Sequence, residues 1–258
     1  LVVLVGTALV AALGVWMINA SVVREAQQRV NHDLRTLLIQ YEQRLSLMAG
    51  QLRQACEDFS PEAPNLSENL RQYRQRLGLT VLNACRADGT PLAGTYPDME
   101  QPVPLSGDPV LRDALEGKSS WGTVRLEPAR LRQEGGAALV SLAQVNMPEE
   151  GERTDALFWW AACPLFDASG RVQGLVYGGR ILNHNHELVD QLREMVFTEA
   201  LDEGKPVGTV TLFLEGTRVA TNVLGPDRRR AVGTRVSKEV QRKVLEQGQR
   251  WTDRAWVV

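Results

Sequence analysis

A chain of 258 residues with 43% hydrophobic content can bury one or two compact cores, and a net charge of −2 supplies no basic field for nucleic acid. Its cysteines, Cys56, Cys85 and Cys163, are too few and too scattered for a disulfide scaffold or a zinc site. An oxidising compartment would permit a Cys56–Cys85 bridge; otherwise three buried free thiols are expected.

The chain starts without Met inside an apolar run over 1–18, and no charge occurs before Arg24, so it reads as a fragment of a longer protein. The run matches the ~20 residues that an apolar helix needs to cross a bilayer. A cleaved signal peptide has a shorter apolar core, about 7–15 residues, ending in a small-x-small site. Here Asn19-Ala20-Ser21 leads directly into charged sequence, so a retained transmembrane helix over 1–23 is expected. Its orientation is not readable from charge, because the basic flank that would fix it lies upstream of Leu1.

Over 24–59 charged residues are interleaved with Val30, Leu34, Leu37, Tyr41, Leu45, Met48, Leu52, Ala55 and Phe59 at steps of three and four, a helical stripe. No Pro or Gly falls between Trp16 and Met48, so this stalk should continue the membrane helix unbroken. At ~1.5 Å per residue it would span on the order of 50 Å, more than one small domain needs. A parallel homodimer through Leu34, Leu37, Tyr41, Met48 and Leu52 is therefore expected.

Ser60-Pro61 ends that helix, and Asn65 or Ser67 can cap a short one running to about Leu77. Strands are expected at 79–85, 91–95, 121–126, 137–145, 156–166 and 171–182, with a helix over 110–116 and another over 188–197. Ala87-Asp88-Gly89-Thr90 and Asp167-Ala168-Ser169-Gly170 are hairpin turns, and the stretches around Gln133-Glu134-Gly135-Gly136 and over 148–155 read as polar loops. Long antiparallel strands after helical segments describe an α+β fold, a curved sheet with helices on one face.

Part of the pattern recurs about 130 residues on. Arg112, Leu115, Glu116 and Trp121 share their spacing with Arg242, Leu245, Glu246 and Trp251, and the same offset sets Gly78 and Leu82 against Gly208 and Leu212. A matched Trp beside two aligned strand starts favours duplication, with the second copy incomplete at Val258.

The segment Cys163-Pro164-Leu165-Phe166-Asp167-Ala168-Ser169-Gly170-Arg171-Val172-Gln173-Gly174, after a membrane helix and a long stalk, resembles the last hairpin of bacterial extracytoplasmic Cache sensor domains. The stretch 208–223 followed by Ala231-Val232-Gly233-Thr234-Arg235-Val236-Ser237 is similar to the membrane-proximal module of double Cache sensors. The resemblance spans roughly 24–258 and implies a membrane-distal, PAS-like module over 60–187 and a partial membrane-proximal one over 188–258. It implies a small-molecule sensor in the periplasm, anchored in the bacterial inner membrane. The output would be a histidine kinase or, as the alternative, a chemotaxis receptor. A module without a ligand that only sets dimer spacing is the reading from a different class.

No catalytic constellation, metal site or cofactor motif stands out. His184 and His186 lack a third ligand nearby and sit in a capped linker, and Gly178-Gly179 lacks the strand-loop-helix context of a dinucleotide loop. Ser106 and Ser169 have no partner His, and Arg228-Arg229-Arg230 reads as a solvated turn. The pocket is expected in the first module beneath the loops over 99–121, with Trp121, Arg125, Trp159 and Tyr177 converging on an anionic ligand, such as a carboxylate paired with Arg125.

Overall fold

The computed structural model describes residues 2–94, 103, 105, 107–148, 150–197, 201–202, 205–206 and 208–249. Helix α1 (Val2–Cys56) runs unbroken through the expected anchor and stalk. Side chains of 2–16 lie outside the described residues, and among the described residues no helix is long and apolar enough to cross a membrane. After α2 (Leu66–Arg76), strands β1 (Val81–Arg86) and β2 (Pro91–Ala93) form a hairpin. Next come α3 (Pro109–Leu115), β3 (Ser120–Leu126), α4 (Pro128–Ala143), the short pair β4 (Val145–Met147) and β5 (Gly151–Arg153), and the long pair β6 (Ala156–Phe166) and β7 (Val172–Ile181).

β1, β2, β3, β6 and β7 make one antiparallel sheet in the order β2-β1-β7-β6-β3. Alternation along each strand sorts its side chains into two cores. Leu82, Ala84, Trp159, Ala161, Cys163 and Val176 meet the stalk, α2 and α5 (His186–Val196). Val81, Cys85, Phe158, Trp160, Leu175 and Tyr177 meet α3 and α4 instead. Helices thus cover both faces rather than one, which is why β6 is apolar almost end to end. Gly178 and Gly179 serve the packing of β7 between its neighbours: a Cβ would stand 2.2 Å from the Val81 carbonyl oxygen at the first and 1.8 Å from that of Trp159 at the second.

The stalk stripe is largely consumed within the chain. Leu45, Met48, Leu52, Ala55 and Phe59 are buried on the sheet, and Leu37 and Tyr41 pack against the same core. Met48 and Leu52 cannot belong to a dimer contact as well, a correction to the expected interface; the length of the helix hid how much of it its own sheet would cover.

α4 is a second correction. Residues 137–143 of the expected strand are helical, and the loop around 133–136 is a kink inside the helix, where Gly135 (φ −156°) and Gly136 (φ 66°) leave helical geometry before the helix resumes. β5 lies inside the 148–155 stretch expected as loop, and β4 begins at Val145, the last residue of the expected strand.

Beyond α5 the backbone forms the short pair β8 (Leu201–Asp202) and β9 (Lys205–Pro206), then a hairpin of β10 (Thr211–Leu214) and β11 (Thr217–Thr221), turning at Glu215 and Gly216 with φ of 48° and 84°. Helix α6 (Lys238–Val240) passes into a π-helical turn (Gln241–Glu246). Val210 and Ala220 join the stalk-side core, so the expected boundary at 187/188 runs through shared packing. Gly78 and Gly208, the pair at the repeat offset, are both left-handed just before their hairpins, with φ of 61° and 88°. Trp251, the second Trp of the repeat, lies outside the described residues.

Candidate functional site

Asp108 and Pro109 start α3 in the way their chemistry dictates. Proline sits in the first turn, and Asp108 Oδ1 accepts from the backbone N–H groups of Val110 (3.0 Å) and Leu111 (3.3 Å). Its Oδ2 accepts from Trp160 Nε1 at 3.0 Å, pinning the helix start to β6. With α3 so placed, a cleft of about 440 Å³ opens between Gly107–Pro109, the end of β3 (Val124 to Glu127) and the first turns of α4 (Ala129, Arg130, Gln133). Only its Gly107–Pro109 wall belongs to the stretch 99–121 under which the pocket was expected; the rest comes from 124–133, and Met99 and its neighbours lie outside the described residues.

A buried polar network adjoins the cleft. Arg130, which lines it, and Glu134 are one helical turn apart, with Nη2 2.6 Å from Oε1. Glu134 has no exposed surface; its Oε2 accepts from Asn83 Nδ2 (2.7 Å) and from the Tyr177 hydroxyl (3.1 Å). Asn83 Nδ2 also reaches the Glu134 carbonyl (3.3 Å), at the break made by Gly135.

Burial raises the Glu134 carboxyl above its ordinary value; Arg130 first, then Asn83 and Tyr177, oppose this without cancelling it. Burial, and next the Glu134 charge, raise the Tyr177 hydroxyl and push the Cys85 thiol to about 12. Arg130 Nη2 contacts Glu134 by charge but without hydrogen-bond alignment, and its buried Nε meets no acceptor among the described residues. A part-buried guanidinium, 12% exposed at the wall of an open cleft, can pair an anionic group there.

The four residues expected to converge do not. Cross-strand pairing sets Thr123 beside Trp159 and Trp159 beside Arg180, so Trp121, Arg125 and Trp159 share the stalk face. Tyr177 pairs with Ala162 and points to the other face, under α4. Trp159 is sealed by an edge-on contact with Tyr41 at 5.4 Å, while Trp121 is 48% exposed on the edge strand. Arg125 borders the cleft but is already neutralised, with Nε 2.7 Å from Asp155 and Nη1 bonded to Glu215. Sequence reasoning passed over Arg130, Glu134 and Asn83. The Arg-x-x-x-Glu spacing after Pro128 was the available signal, hidden by reading the glycine pair as a loop.

His184 and His186 stand with rings 6.1 Å apart, His184 Nε2 lies 2.7 Å from the Gln144 carbonyl oxygen, and Asn185 caps α5 through the Leu188 N–H. Among the described residues no group of His, Cys, Asp and Glu could hold a metal ion.

Residues 180–258 match the family model described as Single cache domain 3. Among solved structures, the sensor domain of the V. cholerae histidine kinase DctB is 10% identical, with 85% of this chain and 73% of that one covered and a TM-score of 0.39. The ligand-binding domain of the Pseudomonas aeruginosa PAO1 amino-acid chemoreceptor PctC, in complex with GABA, is 14% identical, with 79% and 76% covered and a TM-score of 0.37. The E. coli DcuS sensor domain is 14% identical, with 54% and 81% covered and a TM-score of 0.31. No curated protein matches this chain.

Proposed function

We propose that this chain is the small-molecule sensing part of a membrane receptor and that the cleft between α3, β3 and α4 takes a ligand bearing a carboxylate or similar anion. The observation that carries the reading is Arg130, a part-buried cation lining the cleft whose Nε has no acceptor among the described residues. Tyr177 keeps a role in it by holding Glu134 from below. The anion-pairing role expected of Arg125 passes to Arg130, because Asp155 and Glu215 already neutralise Arg125.

The family match over 180–258 supports a Cache-type sensor, and the repeated order of left-handed glycine, hairpin and helix supports a second, partial module after the first. On this reading residues 1–23 cross the bacterial inner membrane, the globular part lies in the periplasm, and the output belongs to a histidine kinase. A homodimer would use the upper stalk, where Val30, Leu38 and Ile39 are exposed. Titration calorimetry with dicarboxylates, amino acids and inorganic phosphate tests the site. Saturable binding of an anion that is lost in Ala129→Trp, which fills the cleft from an exposed position, is expected. Binding undiminished in that variant would place the site elsewhere.

A further inference from the structure

Glu134 is fixed in the middle of α4, with no surface exposed. Asn83 Nδ2 holds both its carbonyl oxygen (3.3 Å) and its Oε2 (2.7 Å), and the Tyr177 hydroxyl donates to Oε2 at 3.1 Å. The two carboxyl oxygens are therefore not equivalent. Oε1 receives no hydrogen bond among the described residues and has only the charge of Arg130 beside it, with Nη2 2.6 Å away. Arg130 is the one ion-pair partner of Glu134 among the described residues, and it also lines the cleft. Once an anion occupies the cleft, a single cation faces two negative charges. The surroundings supply no substitute. Asp108, at the start of α3, adds a further negative charge, and its oxygens are taken by the N–H groups of Val110, Leu111 and Trp160. Burial raises the Tyr177 hydroxyl on β7 and pushes the Cys85 thiol on β1 to about 12, so neither carries charge near neutral pH; Cys85 is a free thiol, as are Cys56 and Cys163. A buried carboxylate that has to share its only counter-ion is neutralised by a proton.

We infer that the cleft takes up its anion together with a proton from solvent, and that the proton is held on Oε1 of Glu134. The inference rests on the proposed pairing of an anion with Arg130 and adds its regulation by acidity. Protonation of Oε1 releases Arg130 for the anion and leaves the Asn83 and Tyr177 bonds to Oε2 in place. By linkage, the anion strengthens proton binding by the same factor as the proton strengthens anion binding. Burial already raises the Glu134 carboxyl in the empty cleft, against the pull of Arg130, and an anion on Arg130 raises it further. Anion affinity is therefore greatest and level below the value of the empty state. It falls as pH rises from that value to the value of the occupied state, and is level again above it.

The test is calorimetric titration of the purified chain in detergent with succinate and with sulfate, both fully ionised at neutral pH, in two buffers of different ionisation enthalpy. The buffer dependence of the heat counts the protons taken up per anion bound. Net uptake of up to one proton is expected, with sulfate affinity falling by at most about tenfold per pH unit across the window. Infrared difference spectra of the unaltered chain binding sulfate, which has no carboxyl of its own, should gain the carbonyl stretch of a protonated carboxyl. Proton uptake and band should both vanish in Glu134→Gln. Binding without proton uptake, uptake without the carboxyl band, or uptake that persists in folded Glu134→Gln would overturn the inference and leave the cleft as an anion site. Failure of both anions to bind would remove the cleft reading and the inference together. The proton count and the carboxyl band are read on the unaltered chain, so misfolding of the variant does not decide the outcome.

Discussion

Arg130 is both a wall of the cleft and the counter-ion of Glu134, a carboxylate with no exposed surface whose Oε1 lies 2.6 Å from its Nη2. Any anion that draws Arg130 toward the cleft therefore acts on a buried acid in the middle of α4, held by Asn83 and Tyr177. On the proposed reading, binding and the integrity of this core share one residue.

The first prediction concerns pH. Burial raises Glu134 above its ordinary value of 4.5, so the folded state holds the proton more tightly than the unfolded chain. That contribution is complete below the unfolded value and is lost as pH rises through the raised folded one. Urea denaturation of wild type and Glu134→Gln from acid to neutral pH should show wild type losing stability relative to the variant as pH increases. A difference independent of pH would mean that Glu134 is not held in the raised state.

The second concerns the ionic cluster that joins β3, β5 and the β10–β11 turn. Arg153 and Arg125 both bond Asp155, and both reach Glu215. Arg125 is 41% exposed, so Arg125→Gln should cost only about 1 kcal/mol. Asp155 is buried, and Asp155→Ala leaves Arg153 without its main partner, at about 3 kcal/mol. Equal losses in thermal denaturation would contradict this division.

The third addresses the stalk. Leu52 is 1% exposed in the stalk-side core, so Leu52→Ala should destabilise by about 3 kcal/mol in urea melts. In a background with the three native cysteines replaced by Ser, Met48→Cys should not crosslink between chains in membranes, whereas Ile39→Cys should. Crosslinking at Met48 would return the lower stalk to the dimer contact.

The strands with a strong apolar pattern were legible in the sequence: β6 spans Ala156–Phe166 as expected, and its partner β7 differs from expectation by one residue at each end. The candidate site was not, for two physical reasons. Alternation fixes parity along one strand, but only register relates parity between strands, and register places Tyr177 opposite Ala162 while Trp159 faces Arg180. The glycine pair in α4 reads as a loop in isolation, yet the flanking turns remain helical because Leu131 and Leu139 are both buried on the sheet. Tertiary packing overrode the local signal at the place where Arg130 and Glu134 meet.

The most direct test of the account compares ligand-induced stabilisation in Arg130→Gln and Arg125→Gln, using whichever anion stabilises the wild-type chain in a thermal shift series. Arg130→Gln should abolish the shift, with its unliganded fold checked by circular dichroism, and Arg125→Gln should retain most of it. A full shift in Arg130→Gln, or its loss in Arg125→Gln alone, would contradict the assignment of the cleft and return the anion to the stalk-side edge of β3.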